Sequence, residues 1–361
     1  MAARVLLQDL VTREILDWDV PLTGADYART LSGPGGISGD LPEGYPFPVK
    51  EWRHALWVED SGTFHGGGIV TTVEHDDRAI RVDCVGPAGY ASDMPWLAPR
   101  EDLIEVDPLV IVRKDWNHLQ SEPGGNLHMT VDSTTSPVRV GEEEREVEFT
   151  TGSGEDVSFE TGPFRLNAVD TQDLLKTVND LSEYTPFDYL EETYWDGELI
   201  AHRLRLGYPQ LGVKRPEFRY HTTENLAVLP VLGMDFDTYA SEVLFVGAGE
   251  GRDAVTAHVP STPTRLRRVA IVADKSVRSK SGATKAAKAE LEARTEAGEV
   301  TTLEVIDSAQ APLDQLNPGD TIFVSGPLAT GAELNHWVRV TEIVRSIEDQ
   351  STATVTVIPS A

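Results

Sequence analysis

Apolar and polar residues alternate with a period of two through much of this chain, whereas sustained 3.6-residue periodicity is rare. The pattern predicts a mostly β protein. Segments 55–59 and 68–74 read as strands around the turn Asp60-Ser61-Gly62, and 79–85 follows after Asp76-Asp77, which together make a meander. Between Gly33 and Pro48 nine glycines and prolines break any regular element, so an ordered loop is expected there. A helix is predicted over 172–183: Thr171 can cap it, Leu174, Leu175, Val178 and Leu181 share one face, and Pro186 prevents continuation. The pieces 194–195 and 198–206, separated by Asp196-Gly197, form the clearest two-residue hairpin signal. In the last third, 242–246 and 269–272 are apolar enough to be buried strands. There too, 284–295 reads as a helix with Gly298 as its stop, and 354–358 as a closing strand.

Composition narrows the classes. With 361 residues the chain exceeds one ordinary core and should hold two to four folded units. Fifty-nine acidic against 31 basic side chains leave a net charge of −28, which repels phosphate backbones and anionic headgroups. A general nucleic-acid or membrane-surface binder is therefore not expected. No run approaches the ~20 apolar residues of a membrane span, and no Sec-type signal is expected from the opening residues. Cys84 has no partner, which excludes an intramolecular disulfide and a multi-cysteine zinc site. Only eight of the 31 basic residues are lysine, a bias compatible with a GC-rich genome or a salt-adapted host. Between Arg265 and Arg294 nine Lys or Arg stand against three Asp or Glu, a local excess of +6. It reads either as a solvated helix face or as a contact for an acidic neighbouring surface.

Four strings look like chemistry. His65-Gly66-Gly67-Gly68 matches the oxyanion-hole string of some lipases and esterases, but no Gly-x-Ser-x-Gly nucleophile elbow exists in the chain. Gly247-Ala248-Gly249-Glu250-Gly251 follows an apolar strand like a dinucleotide fingerprint, yet Arg252 occupies the third glycine position and no βαβ unit follows. His75-Asp76-Asp77 has the spacing that opens a two-His-one-carboxylate iron site. His118 with Glu122, His128 with Asp132 and His221 with Glu224 lie three or four apart, but on no predicted helix. Asp188, Glu191 and Glu192 beside Tyr189, Tyr194 and Trp195 could wall a carbohydrate cleft, with Trp116, Trp195 and Trp337 more simply core or interface anchors. No phosphate loop is present. The residues themselves thus assign no catalytic, cofactor-binding or metal site, and no cofactor.

An ordered series of strings resembles the tail-hub proteins of long-tailed phages with non-contractile tails, known as minor tail proteins in phages of actinobacteria and akin to the baseplate hubs of contractile tails. The series opens with Val5-Leu6-Leu7, Asp17-Trp18, Leu31-Ser32-Gly33-Pro34-Gly35 and Gly39-Asp40-Leu41-Pro42. It continues with Gly67-Gly68-Ile69-Val70 and Val82-Asp83-Cys84-Val85-Gly86. The central string runs from Asp107-Pro108-Leu109 through Arg113 to Trp116-Asn117-His118-Leu119-Gln120-Ser121 and Pro123-Gly124-Gly125. Leu206-Gly207-Tyr208-Pro209, Glu224-Asn225-Leu226 and Gly247-Ala248-Gly249-Glu250-Gly251-Arg252 complete it.

The resemblance implies a mainly β fold with α+β insertions, a multi-domain tail-hub architecture with two related β-barrel-like ring domains. It places the first ring domain at 1–105, a mixed domain at 106–205, the second ring domain at 206–255 with 318–361, and an inserted helix-containing domain at 256–317. It implies a structural virion protein of the tail tip, made in the host cytoplasm: a homotrimer joining the hexameric distal-tail ring to a three-fold tip. Its partners would be the distal tail protein, the tape-measure protein and other tip proteins, with DNA only in transit and no membrane anchor. The competing readings are a receptor- or carbohydrate-binding tail-tip protein and a tail-associated cell-wall hydrolase.

Overall fold

The computed structural model describes residues 3–75, 79–150, 156–228, 232–233, 239–249, 254–261, 266–273, 277, 280–295, 299–300, 302–328 and 333–360. The chain divides into two compact units, one made of Met1–Gly141, Phe164–Pro230 and Thr302–Ala361, the other of Glu142–Pro163 and Val231–Thr301. The fold is mainly β, as the two-residue period predicts.

The first unit is organised by one 12-stranded sheet. Its first seven strands are β1 (Arg4–Asp9), β2 (Ile15–Asp17), β3 (Thr23–Thr30), β4 (Gly36–Pro42), β5 (His54–Asp60), β6 (Thr63–His75) and β7 (Ala79–Val85), in the spatial order β3-β4-β7-β6-β5-β1-β2. β1 and β5 are covered on both faces. Val5, Leu7, Leu56 and Val58 enter one core with Tyr27, Ile37 and Val82, while Leu6, Ala55 and Trp57 enter a second with Ile200. That double burial explains why both strands read as near-continuous apolar runs.

The strand β4 corrects the loop expected over 33–48. Ile37, Gly39 and Leu41 are its buried positions, and a Cβ at Gly39 would sit 2.7 Å from Ala25 Cβ and 2.8 Å from Leu22 Cγ. Here glycine answers close packing within a sheet rather than a turn.

From β3 the sheet continues through the long strand Glu333–Ser346. The first half of that strand pairs with Thr321–Pro327 and its second half with β3, while Thr352–Pro359 lies along its other edge. Lys214–His221 pairs in parallel with Thr321–Pro327, and Thr302–Ile306 pairs antiparallel with Thr352–Pro359.

A mixed layer of the same unit holds α1 (Pro108–Ser121), α2 (Leu174–Tyr184) and the hairpin Asp188–Asp196 with Leu199–Gly207. Three expectations are corrected here. α1 was not predicted, although Leu109, Val112, Trp116 and Leu119 recur at helical spacing and are buried. Asp107 caps it by accepting the Leu109 N–H, and Pro108 occupies the first turn. α2 is capped by Asp173, which accepts the Lys176 N–H at 2.9 Å; Thr171 is instead buried two residues upstream. The hairpin turns on Gly197-Glu198, because Asp196 is still paired, with Leu199.

In the second unit Glu242–Val246 is flanked by antiparallel Thr256–Pro260 and parallel Val269–Ala273. Helix α3 (Lys280–Thr295), one turn longer than predicted, lays Ala283, Ala287 and Leu291 against Val243, Phe245 and Ala257. The predicted stop at Gly298 lies outside the described residues. Arg145–Thr150 and Asp156–Thr161 form a separate two-stranded hairpin. No described helix is long and apolar enough to cross a membrane.

Candidate functional site

Two of the four strings that look like chemistry meet in one cavity of the first unit. It measures about 190 Å³ and is lined by His65, Gly66 and Gly67 of β6, Ala28–Thr30 of β3, Pro87, and Leu190–Tyr194 of the hairpin.

The glycine string belongs to the sheet. Gly66, Gly67 and Gly68 pair with Val58, Trp57 and Leu56, and His65 is the extra residue where the register shifts between Val58 and Glu59. At Gly67, where φ is +133°, an added Cβ would lie 2.3 Å from Leu56 O, so only glycine fits. Burial holds His65 below the usual imidazole range, chiefly by desolvation, with Asp314 opposing and Arg345 assisting.

The two carboxylates are already engaged. Glu191 is half-buried as a residue, but its carboxyl group is enclosed: Gly35 N–H donates to Oε1 at 2.7 Å and Ala88 N–H to Oε2 at 2.6 Å. A Cβ at Gly86 would lie only 1.8 Å from Oε1. Desolvation raises the Glu191 carboxyl to about 7, against the lowering effect of the two N–H donors. Glu192 takes Arg203 on Oε2 (2.5 Å) and Arg205 on Oε1 (2.8 Å).

The hydroxyls among the lining residues are Thr30, Thr193 and Tyr194. Thr193 Oγ1 lies 3.0 Å from Nδ1 of His202, whose ring burial pushes down to about 3 and keeps neutral. A general acid–base pair needs carboxyls turned toward a substrate. Here one carboxyl ties two backbone segments and the other neutralises two arginines, so the arrangement is a clasp between β-sheet and hairpin.

The clasp has a pH signature. With its native carboxyl raised to about 7, Glu191 contributes stability that is fully present below the unfolded carboxylate range near pH ~4.3 and is lost as pH rises through 7. Glu191→Gln should flatten the stability–pH curve between those limits in buffered urea titrations. Its amide NH₂ faces a backbone donor, so the variant should also be less stable at pH 8 by about 1–3 kcal/mol. An unchanged slope would remove Glu191 as its source.

The other candidates disperse. Asp188 binds Arg339 and accepts the Leu211 N–H at 2.7 Å, tying the hairpin to Glu333–Ser346. Tyr189 is buried and donates to Asn179 Oδ1 at 2.7 Å. Trp195 stacks with Trp18 at 6.1 Å, and the Arg4 guanidinium lies 5.4 Å from the centre of the Trp18 ring. Trp116 is core, and Trp337 lies under Lys214 Nζ at 3.9 Å.

His118 lies on α1, with Nδ1 3.7 Å from Glu122 Oε1, but its Nε2 accepts the Leu97 N–H at 2.9 Å. His128 and His221 stand outside any helix. Asp76 and Asp77 of the His75 string, and Glu250 to Arg252 of the glycine string, lie outside the described residues. Gly247 N–H donates to Val255 O at 2.7 Å, and the strand that follows is antiparallel, so the βα turn of a dinucleotide site does not form. Among the described residues no group of three or more His, Cys, Asp or Glu converges as metal ligands. Sequence reasoning missed Arg29, half-buried in the cavity lining with a guanidinium N–H donated to Asn317 Oδ1 at 2.8 Å. Only the tertiary pairing of β3 with Glu333–Ser346 brings it there.

No protein-family model matches this sequence, and no curated protein matches it. Its structure is similar to the 43 kDa tail protein of prophage MuSo2 from Shewanella oneidensis, with a TM-score of 0.63 at 13% identity over 98% of both chains. It is also similar to the tail protein from Neisseria meningitidis MC58, with a TM-score of 0.60 at 14% identity over 100% of this chain and 97% of that one. A third likeness is to a prophage tail protein from Listeria monocytogenes EGD-e, with a TM-score of 0.54 at 12% identity over 98% and 94%. Built on a mainly β framework along nearly its whole length, this chain has the fold of prophage tail proteins.

Proposed function

We propose that this chain is a structural virion protein that forms the trimeric hub of a phage tail tip. The observation that carries the reading is the end-to-end similarity to a prophage tail protein, 98% of each chain at a TM-score of 0.63. A shared fold supports but does not by itself assign function; the ordered strings from Val5 to Arg252 and the engagement of both cavity carboxyls add to it.

In this reading the ring domains are 1–105 and 206–255 with 318–361. The strands Lys214–His221, Thr321–Pro327, Glu333–Ser346 and Thr352–Pro359 serve the second. Domain 106–205 lies between them in sequence, and 256–317 is the insertion. Three copies of a chain with two ring domains match a hexameric distal-tail ring, hold the end of the tape-measure protein and close or gate the channel until DNA leaves. The hub belongs to a long non-contractile tail of the actinobacteriophage type. A net charge of −28 suits a channel lining from which DNA is repelled as it moves.

Light scattering of the purified chain, at low and at high salt, tests the assembly. The expected mass is three times 39.5 kDa. High salt should favour it by screening like charges between copies. A monomer under both conditions, persisting when the distal-tail ring protein is added, would overturn the reading. Turnover of host peptidoglycan by the chain would favour the hydrolase instead.

A further inference from the structure

A second cleft of the first unit, of about 270 Å³, shares no lining residue with the clasp. Leu10, Val11, Ile69 and Leu127 make its apolar part, and Trp52 and Tyr90 stand as two aromatic walls, their rings 6.5 Å apart and inclined by 49°. Trp57, Trp96 and Trp116 are at most 3% exposed, whereas Trp52 is 54% exposed. Its place is fixed by the turn that precedes β5. The Trp52 N–H donates to Val70 O at 2.8 Å, the Lys50 N–H to His54 Nδ1 at 3.1 Å, and Arg53 Nε to Asp9 Oδ2 at 2.8 Å. Trp52 has a φ of +55°, in the left-handed region that disfavours a bulky side chain. Neither core packing nor backbone preference accounts for an indole there, and strain of this kind gathers at ligand sites.

The polar side of the cleft comes from the loop after α1, which supplies Asn126 and His128. Asn126 Oδ1 accepts the His128 N–H at 2.8 Å, a local bond that sets His128 at a φ of +54°. Burial, aided by Arg13, holds the His128 ring below the usual imidazole range, so at neutral pH it is uncharged and offers one donor and one acceptor. Among the described residues, no protein group hydrogen-bonds to Trp52 Nε1, Tyr90 Oη, the Asn126 amide nitrogen or the His128 ring. One quarter of the chain is charged, yet the cleft is lined by no carboxylate, lysine or arginine.

We propose that this cleft binds a neutral pyranose ring of a glycan, stacked on Trp52 and hydrogen-bonded through its hydroxyls to Tyr90, Asn126 and His128. A pyranose presents an apolar C–H face and a rim of hydroxyls, which is the pairing of an aromatic wall with a few convergent polar groups. Phosphates, carboxylates and cations find no counter-charge here. An apolar peptide would bury the Tyr90 hydroxyl and the Asn126 amide without partners, a loss that a sugar avoids. The site goes beyond the hub reading and does not depend on the number of copies.

Saturation-transfer NMR on the full chain tests it, with the methyl glycosides of glucose, galactose, mannose and N-acetylglucosamine. At least one should bind, with a Kd of about 1 mM, and glucuronic acid and glucose 6-phosphate at least about tenfold more weakly. Trp52→Gly suits the positive φ, so it should leave the urea midpoint unchanged and weaken binding at least about tenfold. Tyr90→Phe should weaken it about threefold to tenfold. Silence from all four glycosides at about 20 mM overturns the inference. So does undiminished binding in Trp52→Gly, which would put the sugar elsewhere. A Trp52→Gly chain that changes its mass in light scattering, with no glycoside bound by the wild type, makes the cleft a contact between copies and overturns it too. A wild-type chain that stays monomeric yet binds a glycoside removes the hub and leaves this site standing.

Discussion

Alanine at position 86 is expected to cost about 2–4 kcal/mol of stability, although it adds a single methyl group. The new Cβ would sit 1.8 Å from Glu191 Oε1. A long side chain usually swings away from such a contact. Glu191 can do so only by surrendering the N–H donors of Gly35 and Ala88, both hydrogen bonds in a desolvated place. The effect should be non-additive. In the Glu191→Ala background the methyl meets no carboxylate, so Gly86→Ala should then cost less than about 1 kcal/mol, and a double-mutant cycle from urea unfolding reads the difference. Equal costs in both backgrounds would show that Gly86 answers the backbone around it and that the clasp is not rigid.

Asp115→Leu, by contrast, should stabilise the chain by about 1–3 kcal/mol at neutral pH. Asp115 lies on α1 among Ile111, Val112 and Leu119, is 1% exposed, and neither carboxyl oxygen has a hydrogen-bond partner. Desolvation alone pushes its carboxyl well above the usual range. The sign follows from linkage: the folded state holds the proton more tightly than the unfolded one. Wild-type stability therefore falls as pH rises above the unfolded value near ~3.9 and through the raised native one. The advantage of leucine should accordingly be small near pH 4 and grow toward neutrality. Thermal unfolding from pH 4 to 8 measures it. A leucine variant that is less stable at every pH would mean that Asp115 has a partner in solution, a buried water being the simplest.

Both predictions concern residues whose importance is invisible along the chain. Gly86 belongs to a string that resembles the tail hubs, but nothing in Val82-Asp83-Cys84-Val85-Gly86 names Glu191, 105 positions away, as its neighbour. Asp115 carries a polar signal on an otherwise apolar face and so obscures α1. The capping pair Asp107-Pro108 and the spacing of Leu109, Val112, Trp116 and Leu119 were nonetheless sufficient to find that helix. The glycine density from Gly33 to Gly39 hid β4 for a different reason. Its buried positions 37, 39 and 41 do alternate, but one of them is a glycine chosen for the closeness of Leu22 and Ala25, and such a position carries no hydropathy.

What the sequence by itself determined is the local layer: the strands at 55–59, 79–85, 242–246 and 269–272, the last of them exposed at alternate positions rather than buried as expected, the helices at 172–183 and 284–295 within a few residues of their ends, and the mainly β class. These follow from side-chain periodicity and backbone preference, which act between near neighbours. Only the tertiary structure decided that β3 joins Glu333–Ser346, that the His65 glycines and the Glu191–Glu192 pair share one cavity, and that those carboxyls are held by Gly35, Ala88, Arg203 and Arg205 rather than turned toward a substrate. Pairing between strands hundreds of residues apart depends on which edges and faces remain uncovered once the local elements have formed, and the hydrogen bonds that satisfy a buried carboxyl are set by that packing.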